Sequence, residues 1–290
     1  MDKIIVLIAS PPALGFEAAL KSAFASIQGK SFRWLARGEA CEFIPADTAD
    51  CEARLRALFR DSAVDIAAVP LTDRRKRLLV ADMDSTMIAQ ECIDELAALA
   101  GVGDRVSAIT LRAMGGEIDF ETALRERLSL LAGLSVEHLD RLLAATRFTQ
   151  GGRTLVQTMK AHGAYTILVS GGFSPFTSHV AGVLGFDEHR ANDLILENGK
   201  LTGRAREPIL GRDAKLTALR DVRDKLDVPK SLTMAVGDGA NDLDMITEAG
   251  LGVAYRAKPI LRERAHAHID HGDLTALLYL QGYSKDEFVS

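Results

Sequence analysis

Asp82-Met83-Asp84-Ser85-Thr86 places two carboxylates two positions apart, directly after the apolar run Leu78–Ala81. Like charges crowded at a desolvating strand end repel one another, and a hard divalent cation would relieve them. The same Asp-x-Asp pattern also serves turns and helix N-caps, so alone the pair fits either use. Three companions bear on the choice. Ser170-Gly171-Gly172 follows a second apolar run and offers a hydroxyl and flexible backbone N–H groups, suited to phosphate oxygens. By itself it is an ordinary glycine turn. Asp238-Gly239-Ala240-Asn241-Asp242 follows a third run, with three oxygen-bearing side chains where a magnesium site could be completed. A helix starting at Asn241 or Asp242 is compatible with that role. Lys215, in Gly211-Arg212-Asp213-Ala214-Lys215, is a cation of unremarkable context.

These groups can meet only if the elements before them lie side by side. The runs Leu78–Ala81, Tyr165–Val169, Leu232–Val236 and Leu251–Tyr255 show no polar alternation, which predicts strands buried on both faces of a parallel, helix-covered sheet. Ligands of such sheets sit at the carboxyl ends of the strands, where all three polar clusters fall. Between the first two runs lie about 80 residues with helical periodicity, too many for a crossover helix. Segments near Ile93–Ala100, Arg105–Met114, Phe120–Leu131 and Val136–Ala145 are separated by glycines and predict an inserted helical cap at about residues 88–150. Leu194–Glu197 and Lys200–Thr202 about Asn198-Gly199 predict a type I′ hairpin.

Before residue 73 the pattern differs. Ile4–Ala9 and Val64–Val69 read as strands, Gly15–Ile27 and Cys51–Asp61 as helices, and Phe32–Phe43 as mixed, which predicts a small α+β unit over residues 1–72. The charge run Asp73-Arg74-Arg75-Lys76-Arg77 marks the seam. In an acidic chain without interleaved aromatics it reads as a solvated linker rather than a polyanion site. Residues 73–290, which hold every candidate group, are then expected to fold and work alone.

Composition sets outer limits. The 290 residues, 47% hydrophobic and 26% charged, suffice for two globular units and exclude wholesale disorder. A net charge of −5 gives no footprint for nucleic acid. Cys41, Cys51 and Cys92 fit no Cys-x-x-Cys spacing and suggest free thiols in a reducing compartment. The apolar run Ile4–Ala9 is short, has no basic flank and stops at Ser10-Pro11-Pro12, unlike a secretory signal. No uncharged apolar stretch reaches the roughly 18–20 residues of a membrane span. A cytoplasmic protein with no membrane or nucleic-acid partner is expected.

In order, Asp-Met-Asp-Ser-Thr, Ser-Gly-Gly-Phe, the lysine and Gly-Asp-Gly-Ala-Asn-Asp-Leu-Asp-Met resemble the four motifs of the haloacid dehalogenase superfamily of phosphotransferases, over roughly residues 78–282. Within it they are most similar to the branch acting on phosphoserine in the last step of serine biosynthesis. The resemblance implies a Rossmann-like core with a helical cap, and Mg2+ as cofactor. Asp82 is implied as nucleophile and Asp84 as general acid and base, its pKa raised by the neighbouring carboxylate. Asp82, the Asp84 carbonyl and Asp238 would hold the metal. Ser170, Gly171 and Lys215 would hold the phosphoryl oxygens, Asn241 would add a polar contact, and Asp242 would orient Lys215 or the metal shell. Many bacterial relatives carry an ACT-like regulatory region ahead of the core, and residues 1–72 could match it and form a homodimer contact.

The cap supplies a separate clue to substrate. On a helical wheel, Arg127 falls about 20° from Phe120, within the stripe of Phe120, Ala123, Leu124 and Leu131. A guanidinium there either snorkels or meets an anion. In the resembled branch the matching arginine holds the substrate carboxylate, and Glu91 matches the acid that binds its ammonium. Phosphohomoserine is an alternative substrate, and a non-enzymatic amino-acid sensor an alternative of another class. His266-Ala267-His268-Ile269-Asp270-His271 matches a His-x-His-x-Asp-His metal string, yet only 19 residues follow it and none is histidine. It reads as a polar segment before an apolar final helix at Leu274–Leu280.

Overall fold

The computed structural model describes residues 2–10, 15–46, 50–211 and 213–290. Pro11 and Pro12, expected to end the first strand, lie outside the described residues. That strand, β1 (Lys3–Ala9), shows why its apolar run is unbroken: Ile5, Leu7 and Ala9 enter one hydrophobic cluster, Ile4, Val6 and Ile8 another. It is followed by α1 (Phe16–Ser26), β2 (Ser31–Ala36), β3 (Ala40–Ile44), α2 (Cys51–Leu58) and β4 (Val64–Pro70). The segment expected to be mixed is thus the hairpin β2–β3. The strands lie in the order β2-β3-β1-β4, with each adjacent pair antiparallel, a split βαβ arrangement of ferredoxin type. Phe16, Leu20 and Leu55 of the helices cover one face. The opposite face shares its cluster with Leu277, Leu280 and Tyr283 near the far end of the chain.

The second sheet is the predicted parallel one. Strand β5 (Leu78–Ala81) sends Leu78 and Val80 into one cluster and Leu79 and Ala81 into the other, so helices must cover both faces. The cap helices α3 (Cys92–Leu99), α4 (Gly103–Met114), α5 (Phe120–Ser129) and α6 (Val136–Ala144) follow, then α7 (Gly152–Ala161), β6 (Tyr165–Phe173), α8 (Ser174–Leu184) and β7 (Glu188–Asn192). The hairpin β8 (Leu194–Glu197) and β9 (Lys200–Ala205) turns through Asn198 and Gly199, both at positive φ as a type I′ turn requires. The chain ends with α9 (Ala214–Lys225), β10 (Thr233–Gly237), α10 (Leu243–Glu248), β11 (Leu251–Tyr255), α11 (Pro259–Arg262), β12 (Ala267–Ile269) and α12 (Ala276–Leu280). The parallel order β12-β11-β10-β5-β6-β7 puts β5 between β6 and β10, the point where successive connections leave in opposite directions.

The cap is attached by a narrow ribbon. Ile88 pairs with Phe148, Ala89 N donates to Arg147 O (2.8 Å) and Thr149 N to Met87 O (3.0 Å). The β8–β9 hairpin supports its base, exchanging backbone hydrogen bonds between Leu201 and residues 133–134.

Three expectations are corrected. The seam is only partly solvated: Asp73, Arg75 and Arg77 are exposed, but Arg74 is half-buried and Lys76 buried. Lys76 is 4% exposed and its Nζ donates to the carbonyls of Asp73 (2.6 Å) and Ser231 (2.7 Å), while burial lowers its pKa to about 8. Arg74 bridges Glu42 of β3 (2.7 Å) and donates to the Leu280 carbonyl (3.2 Å), so the run ties the first sheet to α12. Independence of residues 73–290 does not follow either, because the two parts share one core. Finally, the histidine string is the edge strand β12: His266 Nδ1 accepts a hydrogen bond from Gly252 N (2.9 Å), and no metal-ligand cluster forms there among the described residues.

Candidate active site

Asp82 follows the last residue of β5, and Met83–Met87 makes a wide turn with Ser85 at φ +56°. The turn aims Asp82 and Asp84 across the ends of β6 and β10. Asp82 Oδ1 accepts from Met83 N (2.7 Å) and lies 2.6 Å from Lys215 Nζ, which reaches Asp242 Oδ1 at the same distance. Lys215 stands in the first turn of α9 and is buried. Burial pulls its pKa down, but Asp242 and Asp82 together outweigh it and hold the ammonium charged. Burial and then Asp242 push the Asp82 carboxyl up, with Lys215 opposing. Asp242 is fully buried, and its other oxygen accepts from the backbone N–H groups of Asp238 (3.2 Å) and Gly239 (3.1 Å). Its oxygens are thereby committed to Lys215 and the loop.

Asp84 is held by two donors: Cys92 N at the start of α3 reaches Oδ1 (3.0 Å), and Ser170 Oγ reaches Oδ2 (3.1 Å). Its pKa is raised by burial, against those hydrogen bonds; desolvation, rather than a neighbouring carboxylate, is the main cause. Ser170 Oγ also accepts from Gly172 N (2.9 Å), which fixes the glycine turn. At Gly172 a Cβ would lie 3.1 Å from Asp84 Oδ2, and at Gly171 it would lie 3.0 Å from the Phe120 ring. Side chains would crowd the space these residues frame.

That space is a cavity of about 280 Å³ lined by Asp82, Asp84, Ser170, Gly171, Asp238 and Asn241 from the core. Glu91 and Arg127 line it from the cap. Ser85 Oγ donates to Glu91 (2.6 Å), yet burial and then the Asp84 charge raise the Glu91 pKa to about 7. Arg127 Nε donates to Ala123 O (3.2 Å), and its two Nη groups make no hydrogen bond among the described residues. The wheel placed it correctly: Ala123, Leu124 and Leu131 are buried beside it. All the predicted site residues except Lys215, expected at the phosphoryl oxygens, and Asp242 line this cavity. Lys215 and Asp242 stand one layer behind the cavity wall, reaching it through Asp82.

A family model described as haloacid dehalogenase-like hydrolase matches residues 79–247. The chain belongs to that family. It is 46% identical over 226 residues to a phosphoserine phosphatase of Streptomyces coelicolor, covering 77% of this chain and 55% of that protein. The chain thus spans about half the length of that curated relative. Among solved structures, a probable phosphoserine phosphatase from Vibrio cholerae superposes with TM-score 0.79 at 32% identity, over 99% of this chain and 88% of that one. A phospho-aspartyl intermediate analogue of a phosphoserine phosphatase superposes with TM-score 0.66 at 39% identity, over 71% of this chain and 98% of that one.

Members of this hydrolase family use a divalent metal, and the donor set fits one. Ligand atoms of Asp82, Asp238 and Asp242 lie within 4.8 Å of one another. Because Asp242 is committed elsewhere, Asp82 and Asp238 remain for a cation. The crowding is visible in Asp238, whose pKa burial and then Asp242 raise to about 6. Thr86 Oγ1 reaches Asp238 only at 3.4 Å.

Three residues escaped the sequence reading. Asn192, buried at the end of β7, donates to Gly171 O (3.0 Å) and accepts from Leu210 N (2.7 Å), locking the glycine turn to the loop before α9. Thr86 Oγ1 stands at the edge of hydrogen-bond reach of Asp238. Lys258 lines the cavity and the cleft of about 1190 Å³ between cap and core that leads to it. Thr86 could have been found inside the Asp-x-Asp-x-Thr string. Nothing local marks Asn192 or Lys258.

Proposed function

We propose that the protein hydrolyses O-phospho-L-serine to L-serine and phosphate, completing serine biosynthesis. One observation carries this reading: a single cavity sets Glu91 and Arg127 on its cap side against Asp82, Ser170 and Gly171 on its core side. A carboxylate and a guanidinium suit the ammonium and carboxylate of an amino acid, and the opposite pole suits its phosphate. Asp82 attacks phosphorus and the seryl oxygen departs, taking the proton of Asp84, whose raised pKa keeps that proton available. The aspartyl-phosphate is then opened by a water that returns its proton to Asp84. Ser170 Oγ and the Gly171 N–H hold phosphoryl oxygens, Asn241 adds a polar contact, and Lys215 neutralises charge at Asp82. Asp82, the Asp84 carbonyl and Asp238 would hold Mg2+, which would supply Lewis-acid neutralisation of the phosphoryl charge.

In the same reading residues 73–290 carry the chemistry, with the cap at about 88–150, and residues 1–72 are an ACT-like regulatory unit offering a homodimer contact. The three cysteines, all buried and none in a disulfide among the described residues, support a reducing, cytoplasmic setting, and among the described residues no helix is long and apolar enough to cross a membrane.

Phosphate release from phosphoserine, phosphohomoserine and glycerol phosphate tests the reading. Phosphoserine should have the highest kcat/KM. Equal values for glycerol phosphate, which has neither amino-acid charge, would refute it.

A further inference from the structure

Asp65 is the one charge in the apolar strand Val64-Asp65-Ile66-Ala67-Ala68-Val69. Strand alternation turns Val64 and Ile66 toward α1 and α2, and Asp65 with Ala67 and Val69 toward the other part of the chain. The side chain is 2% exposed. With no ion-pair partner among the described residues, it takes three successive backbone N–H groups: Asp270 (2.8 Å to Oδ1), His271 (3.2 Å) and Gly272 (2.7 Å to Oδ2). Consecutive amides converging on one anion form a nest, here filled by a carboxylate from the other sheet. The approach is close enough that a Cβ on Gly272 would sit 3.1 Å from Asp65 Oδ2.

The loop so gripped leads to the cap. Two residues beyond Gly272, Leu274 N donates to Gln150 O (3.1 Å), and Gly151, at φ +79°, lies so near Thr275 that a Cβ there would be 2.7 Å from its backbone nitrogen. Gln150 and Gly151 directly continue the Arg147–Thr149 side of the ribbon that ties the cap to the core, whose other side, Met87–Ala89, follows the Asp82–Thr86 turn.

We propose that Asp65 is a positioning residue for catalysis: through the 270–275 loop it anchors the cap ribbon, and so fixes Glu91 and Arg127 relative to Asp82. The N-terminal unit thereby sets how well the cap grips substrate, and a change at its β4 face reaches the active site along this route. The kinetic arm rests on the proposed phosphoserine activity; a structural arm does not.

The test uses the full chain carrying Asp65→Asn, which keeps the shape but loses the charge and turns an amide toward N–H donors. Hydrogen exchange at the Ala89 and Thr149 amides should quicken roughly 10-fold or more, as a buried polar network loses its anchor. KM for phosphoserine should rise, while kcat/KM for p-nitrophenyl phosphate, which lacks both amino-acid charges, should stay within about twofold. Faster exchange confined to residues 270–272, or an equal loss for both substrates, would overturn the proposal. Should Asp65→Asn fail to fold, Asp273→Ala serves instead. It removes the acceptor that holds Thr275 N (2.8 Å) and should produce the same ribbon and KM effects. Unchanged ribbon exchange in that variant would equally overturn the proposal. Absence of phosphoserine turnover in the wild type would refute the functional reading alone, leaving the exchange arm to decide on Asp65.

Discussion

Replacing Arg127 by alanine isolates the part of the site proposed to recognise an amino acid. Its Nε is satisfied by its own helix, while both Nη groups remain available on the cavity side. Removing one charge-assisted hydrogen bond to a substrate carboxylate costs about 1.5–3 kcal/mol, or about 10- to 150-fold in kcat/KM. A second effect adds to it. Burial lowers the Arg127 pKa, but Asp94 and Glu91 act the other way, so the guanidinium in turn stabilises ionised Glu91. Without it Glu91, already shifted to about 7, protonates more readily and loses its hold on the ammonium. The loss should therefore fall in the upper part of that range at neutral pH. An aryl phosphate makes neither contact, and its kcat/KM should fall little. The assay is the ratio of kcat/KM for phosphoserine to that for p-nitrophenyl phosphate, wild type against variant, with the thermal midpoint as a check on folding. A parallel fall for both substrates would show that Arg127 serves the phosphate or the cap's structure, and would refute the reasoning.

Glu91 gives a pH signature: it is protonated below about pH 7 and ionised above, so the phosphoserine KM should rise as pH drops through 7. In Glu91→Gln, KM should be high throughout and that inflection lost; its persistence would assign it elsewhere. Chelation should abolish turnover and Mg2+ restore it, while Ca2+, which takes more oxygens at longer distances, should inhibit. Full activity in chelator would refute the metal assignment. Deleting residues 1–72 should yield insoluble or unfolded protein, because Ile4, Val6, Ile8 and Val69 share one buried cluster with Leu277 and Leu280 of α12. Each apolar side chain so exposed costs about 1.5–3 kcal/mol, and a few of them rival the whole stability of a typical domain. A soluble, cooperatively melting fragment would contradict the shared core.

The candidate residues Asp82, Asp84, Ser170 and Asp238 were legible because each cluster follows an apolar run, and parallel strands buried on both faces bring such ends to one edge. Arg127 was legible because a guanidinium amid Phe120, Leu124 and Leu131 breaks a helical stripe. What escaped depends on neighbours distant in sequence. Glu188–Asn192 is too polar to read as a strand, yet it forms the sheet edge, pairing with β6 alone among the described residues. The Asp73–Arg77 run looked solvated because charge usually is; Glu42 and the carbonyls of Ser231 and Leu280, which bury Arg74 and Lys76, are separated from them by long stretches of chain. Asp65 was visible as a lone charge in a strand, but its partners are backbone amides of residues 270–272, which no side-chain pattern reveals.

The most direct test of the mechanism is to trap the covalent intermediate. The protein incubated with phosphoserine is quenched in acid, digested and mapped by mass spectrometry, alongside Asp82→Asn. The account predicts one phosphoryl group on the peptide bearing Asp82, localised to that residue, and neither adduct nor turnover in the folded variant. A phosphoryl group on any other residue, or turnover by Asp82→Asn with deamidation excluded, would contradict it.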